Sequence, residues 1–122
     1  MVIVKGIGGI FFKCDDPDQL KQWYKKHLGF VIDEYGCITF DPKTLPEKSY
    51  GVWSPFKADT EYFQPSKQAF MLNLIVEDVR VALDQVKAGG AEIVGEVVDD
   101  EYGVFGWFID PVGIKIELWT PK

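Results

Sequence analysis

A chain of 122 residues, 47% hydrophobic and 15% aromatic, has the length and composition to bury one core, and residues 1–122 are read as a single domain rather than a disordered polymer. A formal charge of −6 argues against a nucleic-acid partner or an anionic membrane surface and favours neutral or cationic partners. The two cysteines, Cys14 and Cys37, are too few for a disulfide framework and not spaced as a metal clip, so both are read as reduced thiols. With no apolar run of membrane length and no basic, cleavable leader, the expected location is the cytoplasm.

In chain order, Val2 to Lys13 is rich in Val, Ile, Phe and Gly and predicts a strand ending near Cys14. Asp16-Pro17-Asp18-Gln19 then supplies a capping carboxylate, a proline at the first helical position and a glutamine three residues after the cap. Leu20, Trp23, Tyr24 and Leu28 follow at helical spacing, and Gly29 is placed to end the helix in a left-handed conformation. His27, the only histidine, falls near the end of that helix, where a cation suits the dipole, and is read as a helix-face residue rather than a ligand. Three strands are predicted next: Phe30 to Glu34, Cys37 to Phe40 and Tyr50 to Ser54. Pro55 to Lys67 reads as a polar and aromatic linker. After it, Phe70 to Val76 predicts a strand, and Asp78 caps a helix carrying Val79, Ala82, Leu83 and Val86, which Gly89-Gly90 stops. Ala91 to Val97, Val104 to Ile109 and Ile114 to Trp119 predict three more strands, the last entered through the turn Asp110-Pro111-Val112-Gly113.

The order β-α-β-β-β thus occurs twice, in a first module of about residues 1–54 and a second of about 68–122, joined by the linker 55–67. The strand endings repeat as well: Gly51-Val52-Trp53-Ser54-Pro55 matches Glu117-Leu118-Trp119-Thr120-Pro121, with a carboxylate in one copy where the other has glycine.

Leu28-Gly29-Phe30 after an aromatic helix, the Val76-Glu77-Asp78-Val79 helix entry and the closing Asp110-Pro111-Val112-Gly113-Ile114-Lys115-Ile116-Glu117-Leu118-Trp119 together resemble the vicinal oxygen chelate superfamily of glyoxalases, bleomycin-resistance proteins and ring-cleaving dioxygenases. The resemblance spans essentially the whole chain. It implies an α+β fold in which two βαβββ modules form a curled mixed-sheet cup with helices on the outer face, and a homodimer is expected. It also implies four metal-ligand positions, which fall here on Gly9, Gly51, Met71 and Glu117. Only Glu117 is of ligand type, so no metal and no other cofactor is expected: one carboxylate beside two glycines and a thioether lacks the donors a divalent ion needs.

Alternation along the last strand puts Ile114, Ile116 and Leu118 on a face packed under a helix and Lys115, Glu117 and Trp119 on the face of the cup. For the strand before it, sequence leaves open whether Phe105, Trp107 and Ile109 or Val104, Gly106 and Phe108 point inward. The ligand-binding wall is expected to comprise Phe11, Trp53, Met71, Asn73, Trp107 and Trp119. Trp53 and Trp119 are equally readable as packed core. Glu117 is the candidate catalytic or ligand-accepting residue, as a hydrogen-bond acceptor or a general base, with a structural ion pair to Lys115 as the competing account. The loops 41–49 and 55–67 are expected to flank the mouth, with Tyr62, Phe63 and Tyr102 closing over a ligand or packing on a partner subunit. The functional expectation is a protein of the bleomycin-resistance type that holds a small planar or cationic molecule. The alternatives are a lyase or isomerase related to glyoxalase, and a dimerising interaction module.

Overall fold

Strand β4 (Lys115–Pro121) is the strand on which the sheet is assembled. It pairs in parallel with β1 (Met71–Ile75) on one side and antiparallel with β3 (Gly103–Ile109) on the other, and β2 (Glu92–Asp100) completes the order β1-β4-β3-β2. The computed structural model describes residues 1–122. Besides the four strands it contains helices α1 (Pro17–Leu28) and α2 (Val79–Ala88) and a single 3-10 turn at Pro42–Thr44. The fold is α+β, with a mixed sheet that does not close on itself.

Both helices start where the sequence signals them. The Asp16 carboxylate accepts from the Gln19 amide at 3.1 Å ahead of Pro17, and the Asp78 carboxylate accepts from the Val81 amide at 3.1 Å, each satisfying a donor that the first turn leaves without a partner. Gly29 ends α1 with φ 70°, a left-handed conformation that glycine adopts without strain.

The period of two in β4 sends Ile116 and Leu118 to the helical side, where with Ile114, Phe108, Val79 and Val86 they are fully buried. On that side α2 lies so close to β3 that a β-carbon on Gly106 would come within 2.7 Å of Leu83 and 2.9 Å of Val79. Helix α1 packs beside α2: the Trp23 indole donates to the Gly89 carbonyl at 3.0 Å, and Gln85 donates to the His27 carbonyl at 2.9 Å.

One buried polar link ties α1 to the sheet. The Tyr24 hydroxyl donates to Asp110 at 2.8 Å, while the other oxygen of that carboxylate accepts from the amides of Val112 at 3.0 Å and Ile114 at 2.9 Å across the β3-β4 turn. Desolvation pushes Asp110 above the usual carboxylate range, opposed by these hydrogen bonds. Burial, then the neighbouring Asp110 charge and hydrogen bond, push the Tyr24 phenol well above its ordinary value.

The first half differs from expectation. Residues 2–13, 30–34, 37–40 and 50–54 do not assemble into a sheet, and the only pairing among them is an Ile32–Ile38 bridge. That bridge closes a local turn in which Asp33 accepts from the amides of Tyr35 and Cys37, both at 2.9 Å. A strand needs a second row of backbone groups to pair with. The second module, residues 71–121, provides its own rows through β4. The first offers no equivalent within this chain, and Val2, Val4, Ile7, Ile10 and Phe11 stand exposed.

Replacing Tyr24 by Phe is expected to lower stability by about 1–2 kcal/mol at pH 8, because Asp110 loses its side-chain donor. The folded state keeps the Tyr24 phenol protonated while the unfolded chain releases that proton near pH 10. The contribution is therefore complete below about pH 10 and falls by about 1.4 kcal/mol per pH unit above it. Urea unfolding at pH 8 and pH 11 checks both points: the difference between wild type and Tyr24→Phe should shrink at the higher pH.

Candidate functional site

The face of the sheet away from the helices carries rows of side chains fixed by strand register. Asn73 on β1 lies opposite Glu117 on β4, which lies opposite Trp107 on β3. One row away, Met71, Lys115 and Ile109 align, and on the other side Ile75, Trp119 and Phe105. The strand whose inward set the sequence leaves open therefore presents Phe105, Trp107 and Ile109 to this face, while Gly106 and Phe108 go under the helices.

Glu117 sits at the centre of this arrangement, partly buried. One carboxylate oxygen accepts from the Asn73 amide at 2.8 Å. The other accepts from the Trp107 indole at 2.9 Å and from the Tyr62 hydroxyl at 2.6 Å. Three donors repay much of the desolvation of a carboxylate on an aromatic surface. Around it, Phe105 is nearly parallel to both Trp107 and Trp119, with ring centroids 6.5 and 6.1 Å away. Trp119 is buried, donates to the Tyr102 carbonyl at 3.0 Å and meets Tyr50 edge-on at 4.9 Å.

The ion pair between Lys115 and Glu117, the competing account of that carboxylate, does not form. The Lys115 side chain instead donates from Nζ to the Tyr62 backbone carbonyl, and its ammonium lies 5.0 Å from the Tyr62 ring centroid and 6.0 Å from that of Trp107. Desolvation lowers the Lys115 pKa, and the Glu117 charge works in the opposite direction. Residues of the 55–67 segment cover this part of the sheet: Phe56 stacks on Tyr62 at 5.7 Å, Phe63 packs on Phe56 at 5.1 Å, and Ser66 donates to the Gly113 carbonyl at 2.5 Å. Burial first, and then the hydrogen bond to and charge of Glu117, push the Tyr62 phenol well above its ordinary value.

Of the residues singled out from sequence, Asn73, Trp107 and Glu117 are in direct contact, and Met71 and Trp119 occupy the adjacent rows. Phe11 and Trp53 stand in solvent, 94% and 80% exposed. Gly51 has open space where a side chain would be, and Gly9 is covered by the Phe11 ring. The sequence named Tyr62 as a residue that closes over the cup but not its bond to Glu117, and it missed Phe56. The only signal for either was the aromatic content of the linker.

A divalent ion does not fit this donor set. Both Glu117 oxygens already serve protein donors, its neighbours across the strands are Asn73 and Trp107, which donate to it, and no group of three His, Cys, Asp or Glu side chains comes together in the chain.

The glyoxalase-like domain family matches residues 9–119. The chain belongs to that family. Membership agrees with the likeness of its closing motif to the vicinal oxygen chelate superfamily. Among solved structures, VPC_CASS1 from the mobile metagenome of V. pseudocholerae is similar at 21% identity over 97% of this chain and 98% of its own, with a TM-score of 0.53. TioX from Micromonospora sp. ML1 is similar at 18% identity over 88% of this chain and 89% of its own, with a TM-score of 0.50. A member of the glyoxalase/bleomycin resistance protein/dioxygenase superfamily from Sphaerobacter thermophilus aligns at 18% identity over 88% of this chain and 90% of its own, with a TM-score of 0.49. At these identities the likeness concerns the fold. No curated protein sequence matches the chain.

Glu117→Gln is expected to keep stability within about 1 kcal/mol of wild type, because the Asn73 amide can turn its oxygen toward the new NH2 group while Trp107 and Tyr62 keep an acceptor. Glu117→Ala strands the donors of Asn73 and Trp107 and is expected to cost about 2 kcal/mol, read by thermal or urea unfolding.

Proposed function

We propose that this glyoxalase-like domain binds a small planar or cationic organic molecule on the aromatic face of its sheet, without a metal. The observation that carries this reading is Glu117: a carboxylate held by Asn73 and Trp107 at the middle of an aromatic surface, with Phe105 and Trp119 in line beside it. The partly exposed Phe105 and Trp107 supply stacking area and Glu117 a single oriented acceptor, the combination that fixes a flat ligand in one pose, with buried Trp119 backing Phe105.

The same geometry favours binding over catalysis by Glu117. A carboxylate offers about four acceptor sites, and three are in use, which leaves one for a ligand donor and opposes protonation of the group as a base. The lyase or isomerase alternative draws no support from these contacts.

A homodimer is part of the proposal. It is supported by the apolar, unpaired residues 2–12 and by the free outer edge of β1, which together offer a strand and a place for a strand in every copy. No helix of the chain is long and apolar enough to cross a membrane, and the net charge of −6 favours a neutral or cationic partner over a nucleic acid.

Titration with a panel of planar neutral and planar cationic compounds should quench tryptophan fluorescence in wild type, and Glu117→Gln should abolish that response. Unchanged binding in Glu117→Gln removes Glu117 from the site. Light scattering on the eluting protein should give twice the 13.9 kDa chain mass, and a monomer at micromolar concentration overturns the assembly.

A further inference from the structure

Tyr62 belongs to none of the strands that form the open face, yet it is held at both ends by residues of β4. Its hydroxyl donates to Glu117 at 2.6 Å, and its backbone carbonyl accepts from Lys115. Its ring stands edge-on to Trp107, 6.3 Å between centroids and 88° between planes, with Phe56 stacked at 5.7 Å. These are the contacts a small aromatic guest would make: an acceptor for one donor, a perpendicular indole and a parallel ring. Despite them, Tyr62 remains 40% exposed and is carried by a segment without helix or strand, so it can leave without unfolding the sheet.

From this we infer that the phenol of Tyr62 is an internal occupant of the ligand seat, and that the ligand is a neutral planar aromatic bearing a hydroxyl or amino donor, which displaces Tyr62 from Glu117. The inference rests on the binding reading above and narrows it. Of planar neutral and cationic guests, the neutral one fits this seat. The Lys115 ammonium lies 5.0 Å from the centre of the Tyr62 ring, so a cation placed there meets a like charge where a neutral ring meets a favourable one. The donor requirement follows from the third bond to Glu117: an aromatic without a donor gives up the hydrogen bond that Tyr62 makes and leaves that oxygen with the Trp107 indole as its one donor.

An internal occupant lowers apparent affinity by the fraction of molecules in which the seat is free. Emptying it should therefore tighten binding of a molecule that resembles what was removed. The probe is p-cresol, which has the shape and hydroxyl of the tyrosine side chain, with toluene as the same shape lacking the donor. Tyr62→Ala should bind p-cresol about tenfold more tightly than wild type by tryptophan fluorescence and should discriminate against toluene. Adding Glu117→Gln to Tyr62→Ala should weaken p-cresol binding. Tyr62→Phe, which keeps the ring but frees Glu117, should fall between wild type and Tyr62→Ala and guards against a folding defect in the alanine variant, with far-UV circular dichroism checking both.

Equal p-cresol affinity in wild type and Tyr62→Ala overturns the internal occupant while leaving the binding reading intact if Glu117→Gln still weakens the interaction. Equal affinity for p-cresol and toluene overturns the donor requirement. Absence of p-cresol binding to every variant overturns the inference, and the planar-compound panel on wild type then decides separately whether the broader binding reading stands.

Discussion

The alternation of β4 is the constraint on which the rest of the structure depends. Every second residue, Ile114, Ile116 and Leu118, is driven beneath the helices, and the residues between them, Lys115, Glu117 and Trp119, are consequently held on the opposite face. A slip of one residue would place an ammonium and a carboxylate against Val79 and Val86 and turn two aliphatic side chains out, so register here is set by burial rather than by backbone pairing alone. Because β4 pairs with strands on both sides, its register is passed to Asn73 and Trp107, and the chemistry of the open face is a consequence of how the core packs.

That coupling explains why a carboxylate persists in the middle of an aromatic surface. Glu117 does not rely on the nearest cation in sequence. Lys115 points to the backbone of the 55–67 segment, and the carboxylate is satisfied by donors from three separate parts of the chain. A neutral-donor cradle orients a charge without cancelling it, unlike an ion pair. The same three bonds use up the coordination that a divalent ion would require, so the site's polarity and its poor fit to a metal have a single cause.

Much of the second module was legible in the sequence because its signals are local. The cap at Asp78, the turn at Asp110, the apolar period of α2 and the alternation in β4 each act within a few residues, and each strand there finds its partner within the same fifty residues. The face assignment of Lys115, Glu117 and Trp119 followed from period two alone. What sequence did not reveal was non-local. The inward set of β3 depends on Gly106 admitting Leu83 and Val79, and the bond between Tyr62 and Glu117 spans 55 residues. The absent ion pair shows the same limit: i and i+2 on a strand share a face, but the longer side chain takes whichever acceptor lies above it.

The contrast between the two halves is itself physical. Both carry strand-like sequences, and both contain a capped helix that packs on the common core through Tyr24 or Val86. They differ in where a returning strand can find a partner. In the second half β4 turns back from β3 and lies parallel to β1, between the two. In the first, Gly51 to Ser54 is the counterpart of that returning strand, but it carries a glycine where β4 has Glu117, and Val52 and Trp53 are exposed rather than packed. Strand formation is rewarded only when side chains on one face are buried at the same time as backbone groups pair. The apolar residues of 2–12 therefore remain a surface with no inner use, which is the condition under which chains associate through their edges. The aromatic face and the unpaired first half are thus two sides of one arrangement: β4 completes the sheet through β1 and β3, and no segment of the first half pairs with the free edge of β1.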